Sequence, residues 1–469
     1  MEIQIIIAFV IYTLSIITIG YIFSKKSESS SEFILGERST NYWVTAIALQ
    51  ASDMSHWLFL GLPAAIYQFG LVRIWEAVGL ITFMFLNWQI VAPKIRVATE
   101  KLKVLTLFSY FEKRFNDTSG TIRILSSVIA VIFFTFYISS GLVAMGRLFE
   151  VAFGTSYLAG VLIGLIITII YTLVGGFIAV AWCDFFQGMF ALFMIAIVPI
   201  VAYIAIGGWP EIAATASNKG VSLNIIPSSI WQFLAIFLSW GLGYFGQPHL
   251  LSFFMGIKDP KNIKYAKYLG LAWQAIVLIC AICIGIVGIA YFNNGGEIIY
   301  ILLAKILFSP IVAGFMLCAI LAVTLSTLDS QILTSGTVIA EDIYKKIWHK
   351  RASSKTILWA SRLGSLLISF IALIIAYNGS KTIYDLVYYA WAGMGSTFAP
   401  LVIASLYSKN INKYGALAGI ISGASIAAIW PYLNKEIPAL IPGFIISFLA
   451  IYLVSYLTRP SHSIRMEKS

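Results

Sequence analysis

Thirteen apolar runs, most of them twenty residues or longer, occupy nearly all of this 469-residue chain. They fall near 3–23, 41–68, 72–93, 121–150, 157–175, 177–207, 227–254, 266–292, 309–343, 356–377, 382–407, 414–431 and 438–457. About 20 apolar residues are what a helix needs to cross the hydrocarbon core of a bilayer. No water is available there, so the backbone must bond to itself, and a bundle of spanning helices is what this pattern demands. A membrane β-barrel would show shorter segments of alternating polarity, which these unbroken runs are not. Charged residues make up only 11% of the chain and hydrophobic ones 60%, against about 25% charged in soluble domains. That leaves too little polar surface to cover a globule in water. The expected fold class is an all-α polytopic membrane protein with about 13 transmembrane helices.

The net charge of +11 comes from 31 Lys and Arg against 20 Asp and Glu. Its distribution excludes nucleic acid as the partner. Basic residues gather after alternate runs: Lys25 and Lys26, then Lys94, Arg96, Lys101, Lys103, Lys113, Arg114 and Arg123. Lys258, Lys261, Lys264 and Lys267 follow the seventh run, and Lys345, Lys346, Lys350, Arg351 and Lys355 the ninth. Lys409 and Lys413 follow the eleventh, and Arg459, Arg465 and Lys468 the last. The loops between, such as Asn293-Asn294-Gly295-Gly296-Glu297, are poor in basic residues. This is the positive-inside pattern. It puts the N-terminus outside and the C-terminus in the cytoplasm, with attraction to anionic membrane lipid as a secondary effect. No connection is long enough for a soluble catalytic domain. The start, Met-Glu-Ile-Gln, lacks the basic region of a cleavable signal. Cys183, Cys280, Cys283 and Cys318 all lie in apolar stretches and read as packing residues.

Two runs are interrupted by helix-unfriendly residues. The second contains Ala51-Ser52-Asp53-Met54-Ser55-His56 and then Gly61-Leu62-Pro63; the seventh contains Trp240 through Pro248, with glycine at 241, 243 and 246. Broken helices at corresponding places in two halves are the best sequence pointer to a transporter binding site. With residues 1–40 as a peripheral helix and loop, the spacing divides the chain into a first repeat over 41–207, an inverted second repeat over 227–407 and two C-terminal helices over 414–457.

Charges at membrane depth cost several kcal/mol, so each is a functional candidate. The main ones are Asp53, Asp184 and Asp329. Ser326, Asp329 and Ser330 stand at i, i+3 and i+4, on one helical face, with Thr327 beside them. Hydroxyls and a carboxylate without His or Cys suit a hard alkali cation. Structural hydrogen bonding to their own or a neighbouring helix is the competing use of such residues. Trp240 and Tyr244 sit i, i+4 at the second break, where a solute can stack, although core packing is the commoner role of such a pair. His249 follows Pro248 and can cap polar backbone; His56 stands one residue past Ser55.

Phe33-Ile34-Leu35-Gly36-Glu37-Arg38-Ser39, Ala51-Ser52-Asp53-Met54-Ser55, Gly61-Leu62-Pro63, Gly175-Gly176-Phe177, Gly241 through His249, and Tyr389-Ala390-Trp391-Ala392-Gly393 occur in that order. Together they resemble the sodium/solute symporter family, in particular its bacterial sodium/proline symporters, over nearly the whole chain. The resemblance implies a LeuT-like five-plus-five inverted repeat with an extra N-terminal helix. It implies sodium-coupled import of L-proline across the plasma (inner) membrane by alternating access, with Na+ as the coupling ion and no enzymatic activity. By motif match, the carbonyls of Ala51, Met54 and Val323 and the hydroxyls of Ser326 and Thr327 would bind sodium. Asp53 and Arg38 match residues of sodium coupling, and Ser55, Tyr137, Trp240, Tyr244 and Pro248 match positions at the solute.

Two departures stand out. His56 replaces a glycine usual in proline symporters and is expected in the pocket, where it would remove volume or add a donor. Asp329 replaces a small residue, often Ser. An aspartate matching Asp184 binds a second sodium in relatives resembling the sialic acid symporters, so Asp184, Ser326, Asp329 and Ser330 are a possible second cation site, or a place for a held proton. The alternative cargo is another small amino acid or carboxylate-bearing solute. The alternative class is a transporter-like membrane sensor, which would need a partner protein.

Overall fold

Apolar runs become helices, and the interrupted runs become interrupted helices. A computed structural model describes residues 2–23, 29–377, 382–434 and 436–459; Lys25, Lys26, Arg465 and Lys468 of the charge pattern lie outside them. The N-terminal helix is α1 (Glu2–Phe23). The second run forms α2 (Tyr42–Met54) and α3 (Gly61–Phe69). The third forms α4 (Ile74–Leu86), a π-helical turn over Asn87–Val91, and α5 (Ala92–Lys101). A short helix α6 (Leu107–Arg114) precedes α7 (Thr121–Phe153). α8 (Tyr157–Ala205) holds the fifth and sixth runs, which meet at Gly176, where φ of 61° and ψ of −168° leave helical geometry.

The seventh run forms α9 (Ile230–Gly241) and α10 (Pro248–Gly256) around a 3₁₀ turn. There follow α11 (Ile263–Tyr291), α12 (Pro310–Thr337), α13 (Ser354–Ala376), α14 (Ile383–Tyr407), α15 (Lys413–Leu433) and α16 (Leu440–Leu457). Ten helices among the described residues are long and apolar enough to cross a membrane. The other three apolar runs fall on the two broken helices and the first half of α8. Ser156, Ser229, Ser353 and Thr382 cap the helices that follow them, their hydroxyls accepting a first-turn N–H.

Burial separates a centre from a rim. The apolar windows of α12 and α14 are 83% buried, those of α1, α15 and α16 only 28%. The central position of α14 rests on glycines facing it. A Cβ on Gly246 would stand 2.4 Å from the backbone nitrogen of Ala399, and one on Gly243 would stand 2.2 Å from the indole nitrogen of Trp391. Only glycine permits that approach.

Arginines gather at one end of the bundle and bond to carbonyls at helix C-termini. Gly36, Glu37 and Arg38 all take positive φ, at 54°, 51° and 56°, a left-handed turn uncommon for residues with a Cβ. It directs the Arg38 guanidinium to the carbonyls of Met255 (2.5 Å) and Val104 (2.9 Å) and to the Thr99 hydroxyl (3.2 Å). Partial burial and the neighbouring Arg96 lower its pKa to about 10. Arg96 donates to Ile257 O and Lys258 O, just past α10, and Arg114 to Ser405 O and Ser408 O at the end of α14. Such cations complement the negative end of the helix dipole. Arg123 pairs with Asp342 (2.6 Å) and Glu112 (3.1 Å), and Lys346 also bonds Glu112.

Candidate solute and cation site

The last carbonyls of α2 have no intrahelical partners, because the helix stops at Met54. Ser55 stops it: with φ 50° and ψ −173° it leaves helical geometry, and its hydroxyl accepts from Trp57 N–H (3.2 Å) to start the 3₁₀ turn His56–Leu58. Pro63 then sits in the first turn of α3, where its missing N–H costs nothing. The C-terminal end of α2 therefore carries negative potential, and the buried carboxylate of Asp53 adds to it.

α12 closes over this end with oxygen. Thr327 donates to Ser52 O (2.9 Å) or to its own Val323 O (3.0 Å), and the hydroxyls of Ser52 and Ser330 lie 2.5 Å apart. Val323, Ser326, Thr327, Asp329 and Ser330 are all buried. α8 approaches from another side, Gly188 fitting against Ala51 and Ile47. One turn earlier on α8, the Asp184 carboxyl faces the Ser326 hydroxyl and the Asp329 carboxyl. The two buried acids thus stand together, as their expected pairing requires.

A hydrogen bond joins the two breaks: the Tyr244 hydroxyl donates to Asp53 Oδ2 at 2.8 Å. The same hydroxyl accepts from Gln274 Nε2 (3.0 Å). Carbonyls freed by the second break are taken up by side-chain amides. Asn87 donates to Tyr244 O and Gln247 to Gly243 O. Unbonded, each would be a costly buried acceptor.

Between the breaks lies a small cavity lined by Asp53, Met54, Ser55, Trp57, Leu80, Tyr137, Trp240, Tyr244, Val387 and Trp391. The Trp240 ring in its wall lies 5.1 Å from Trp57 and 6.2 Å from Trp391. Asp53, Ser55, Tyr137, Trp240 and Tyr244 are thus brought to one place. His56 and Pro248 are not in that lining. His56 is fully buried with neither ring nitrogen hydrogen-bonded. Pro248 lines a second cavity that runs past Ser330 to Thr106 and Thr337, toward the arginine-rich end. Arg38 belongs to that end and does not reach Asp53.

Trp57, Leu80 and Val387 escaped sequence reasoning because apolar lining and apolar core look alike in composition. Asn87 and Gln274 carried a usable signal. A lone amide in an apolar run must find a partner, and both found the second break.

The chain matches the sodium:solute symporter family over residues 33–423. It is 40% identical to the osmoregulated proline transporter OpuE of Bacillus subtilis (strain 168), over 98% of this chain and 96% of that one. It is 38% identical to a sodium/proline symporter of Staphylococcus aureus, over 96% and 92%. Among solved structures it resembles a sodium-coupled sialic acid symporter in a substrate-bound outward-open state, with a TM-score of 0.82 and 20% identity over 97% of this chain and 98% of that one. It also resembles MhsT in complex with L-phenylalanine, with a TM-score of 0.58 and 14% identity over 89% and 98%. These structures share the LeuT-like inverted-repeat fold expected from the paired breaks. With full-length relatives, a matching fold and both interrupted helices in place, the chain belongs to the sodium:solute symporter family.

Proposed function

We propose that the chain is a multi-pass symporter that couples Na+ entry to uptake of L-proline across the plasma membrane. The single observation that carries the assignment is the Tyr244–Asp53 bond, which ties the carboxylate beside the carbonyl-rich end of α2 to the wall of the solute cavity. Relatives named as proline transporters support proline as the cargo. The cavity supports it too: its wall is aromatic and apolar with a polar edge, and His56, the reason to look for another solute, is not part of it.

Sodium would bind between the breaks through the carbonyls of Ala51, Met54 and Val323 and the hydroxyls of Ser326 and Thr327. Thr327 already reaches across to α2, so a cation there draws α2 and α12 together. The solute's ring would pack on Trp240, Tyr244 and Tyr137, and its carboxylate would take N–H groups freed near Ser55. Asp53 senses both, through the ion and through Tyr244. Release follows toward the arginine-rich end, past Pro248 and Ser330. Arg38 contributes by holding α10 shut there until sodium and solute are bound.

A second cation, or a proton, would lie at Asp184 and Asp329 with Ser326 and Ser330. Two adjacent carboxylates in a dry site cannot both stay charged without one. The arginine-rich end is cytoplasmic in this assignment, with the N-terminus outside and the C-terminus inside. The two repeats span 41–207 and 227–407. One charge moving through 100 mV supplies about 2.3 kcal/mol, and a tenfold sodium gradient about 1.4 more. Uptake of labelled proline into proteoliposomes, with and without an inward sodium gradient, tests the function. Accumulation that ignores sodium, or an absence of proline uptake beside sodium-driven uptake of another solute, would overturn it. A sodium Hill coefficient and a charge per solute both equal to one would exclude a second transported cation.

A further inference from the structure

Beside the solute cavity, away from Arg38, Arg96 and Arg114, lies a chain of polar groups that the ion site does not use. Glu76, in the first turn of α4, is completely buried. Its Oε1 accepts from Arg73 at 2.6 Å and from the Tyr384 hydroxyl at 3.4 Å, while Oε2 has no hydrogen-bond partner among the described residues. The Tyr384 hydroxyl accepts in turn from the indole N–H of Trp240, also at 3.4 Å. Trp240 is part of the cavity wall. Tyr384 is fixed from behind as well: its backbone N–H, in the first turn of α14, donates to Glu297 Oε1 at 3.3 Å.

An ion pair kept only for stability does not account for this arrangement. Burying a carboxylate costs more than a surface pair returns, and an apolar residue of the same volume would serve stability as well or better. What the carboxylate provides is a direction. It orients the Tyr384 hydroxyl, whose free lone pair then meets the Trp240 indole. The ion pair at 2.6 Å is the short link, and both links through the Tyr384 hydroxyl are 3.4 Å, so the chain runs from a fixed charge to the indole through one oxygen.

We propose that Glu76 is a positioning residue for solute binding, which sets through Tyr384 where Trp240 stands in the cavity wall, with Glu297 anchoring the helix end that carries Tyr384. The proposal rests on the assignment of this cavity to the solute. Tyr384→Phe, which removes a single oxygen, and Glu76→Gln, which keeps the shape and removes the charge, are to be compared singly and together. Each is expected to raise the KM for proline about tenfold, the loss of one hydrogen bond to a charged group, with Vmax within about twofold of wild type. The double variant should be no worse than the weaker-binding single, because both act through one chain. Unchanged KM in Tyr384→Phe, or additive losses in the double, would overturn the proposal.

A second readout does not depend on the cargo. Val387→Cys places a thiol in the cavity wall, and its modification by a water-soluble thiol reagent is timed in purified protein, with the Val387 parent, which keeps the four native cysteines, as the blank. Adding Tyr384→Phe should speed modification several-fold. An unchanged rate refutes the proposal. If wild type binds no proline while this rate still rises, the fault lies in the cargo and not in the placing of Trp240.

Discussion

The two broken helices are joined by a hydrogen bond but are built from opposite materials. The α2–α3 break is made of serines, an aspartate and carbonyls freed at a helix end, and it faces the hydroxyl-rich side of α12. The α9–α10 break is made of glycines and aromatic rings, and it faces the backbone of α14 at van der Waals distance. In the proposed function the first would give oxygen to an ion and the second shape to a solute, and the Tyr244 hydroxyl on Asp53 links them.

If this division holds, variants at the two breaks should fail differently. The largest effect is expected of Asp53→Asn. Removing one member of a buried charged set costs about 3–5 kcal/mol, so the sodium concentration for half-maximal uptake should rise at least about a hundredfold, read from the sodium dependence of uptake in proteoliposomes. An unshifted sodium curve would break the comparison at its first term. Gly246→Ala comes next. Its Cβ would meet backbone, which cannot rotate away. Overpacking of about 1–3 kcal/mol should lower the thermal unfolding temperature and abolish proline binding, whereas Gly241→Ala, which meets only the Phe83 ring, should do less.

Tyr244→Phe should sit between the two classes. It loses one hydrogen bond to a carboxylate, so sodium and proline affinities should both fall about tenfold; a fall in only one would show that the breaks are not coupled there. The smallest effect on transport is expected of His56→Gly. With the ring outside the cavity lining, proline KM and substrate range should stay within about twofold of wild type, while the space left by a buried ring lowers thermal stability. A changed substrate range would return His56 to the pocket.

The fold was legible because lipid leaves so few choices. Long apolar runs had to be helices, and Ser-Asp-Met-Ser and Gly-x-Gly-Tyr-Phe-Gly had to interrupt them. Asp53, Trp240 and Tyr244 were legible for the same reason, as polar or ring-bearing residues beside a break. His56 marks the limit of adjacency: Ser55 and Trp57 line the cavity and the residue between them is not in its lining. Pro248, one residue past the second break, already belongs to the neighbouring cavity. Leu80 and Val387 had no mark to distinguish them from core residues. Arg38 appeared in a family string with sodium, but only the folded chain brings it to Met255, 217 positions away.

The arginines on helix ends carry a consequence for how this protein is made. Arg96 and Arg114 belong to one of the basic clusters of the sequence, and in the folded protein they bond carbonyls past α10 and at the end of α14. In the proposed orientation the same side chains would serve insertion first and helix-end bonding later. Among the described residues the side chains of Lys101 and Lys103 form no ion pair and hold no helix-end carbonyl, so charge removed there should weaken orientation alone. Charge removed at Arg96 should slow the working cycle even in molecules that insert correctly.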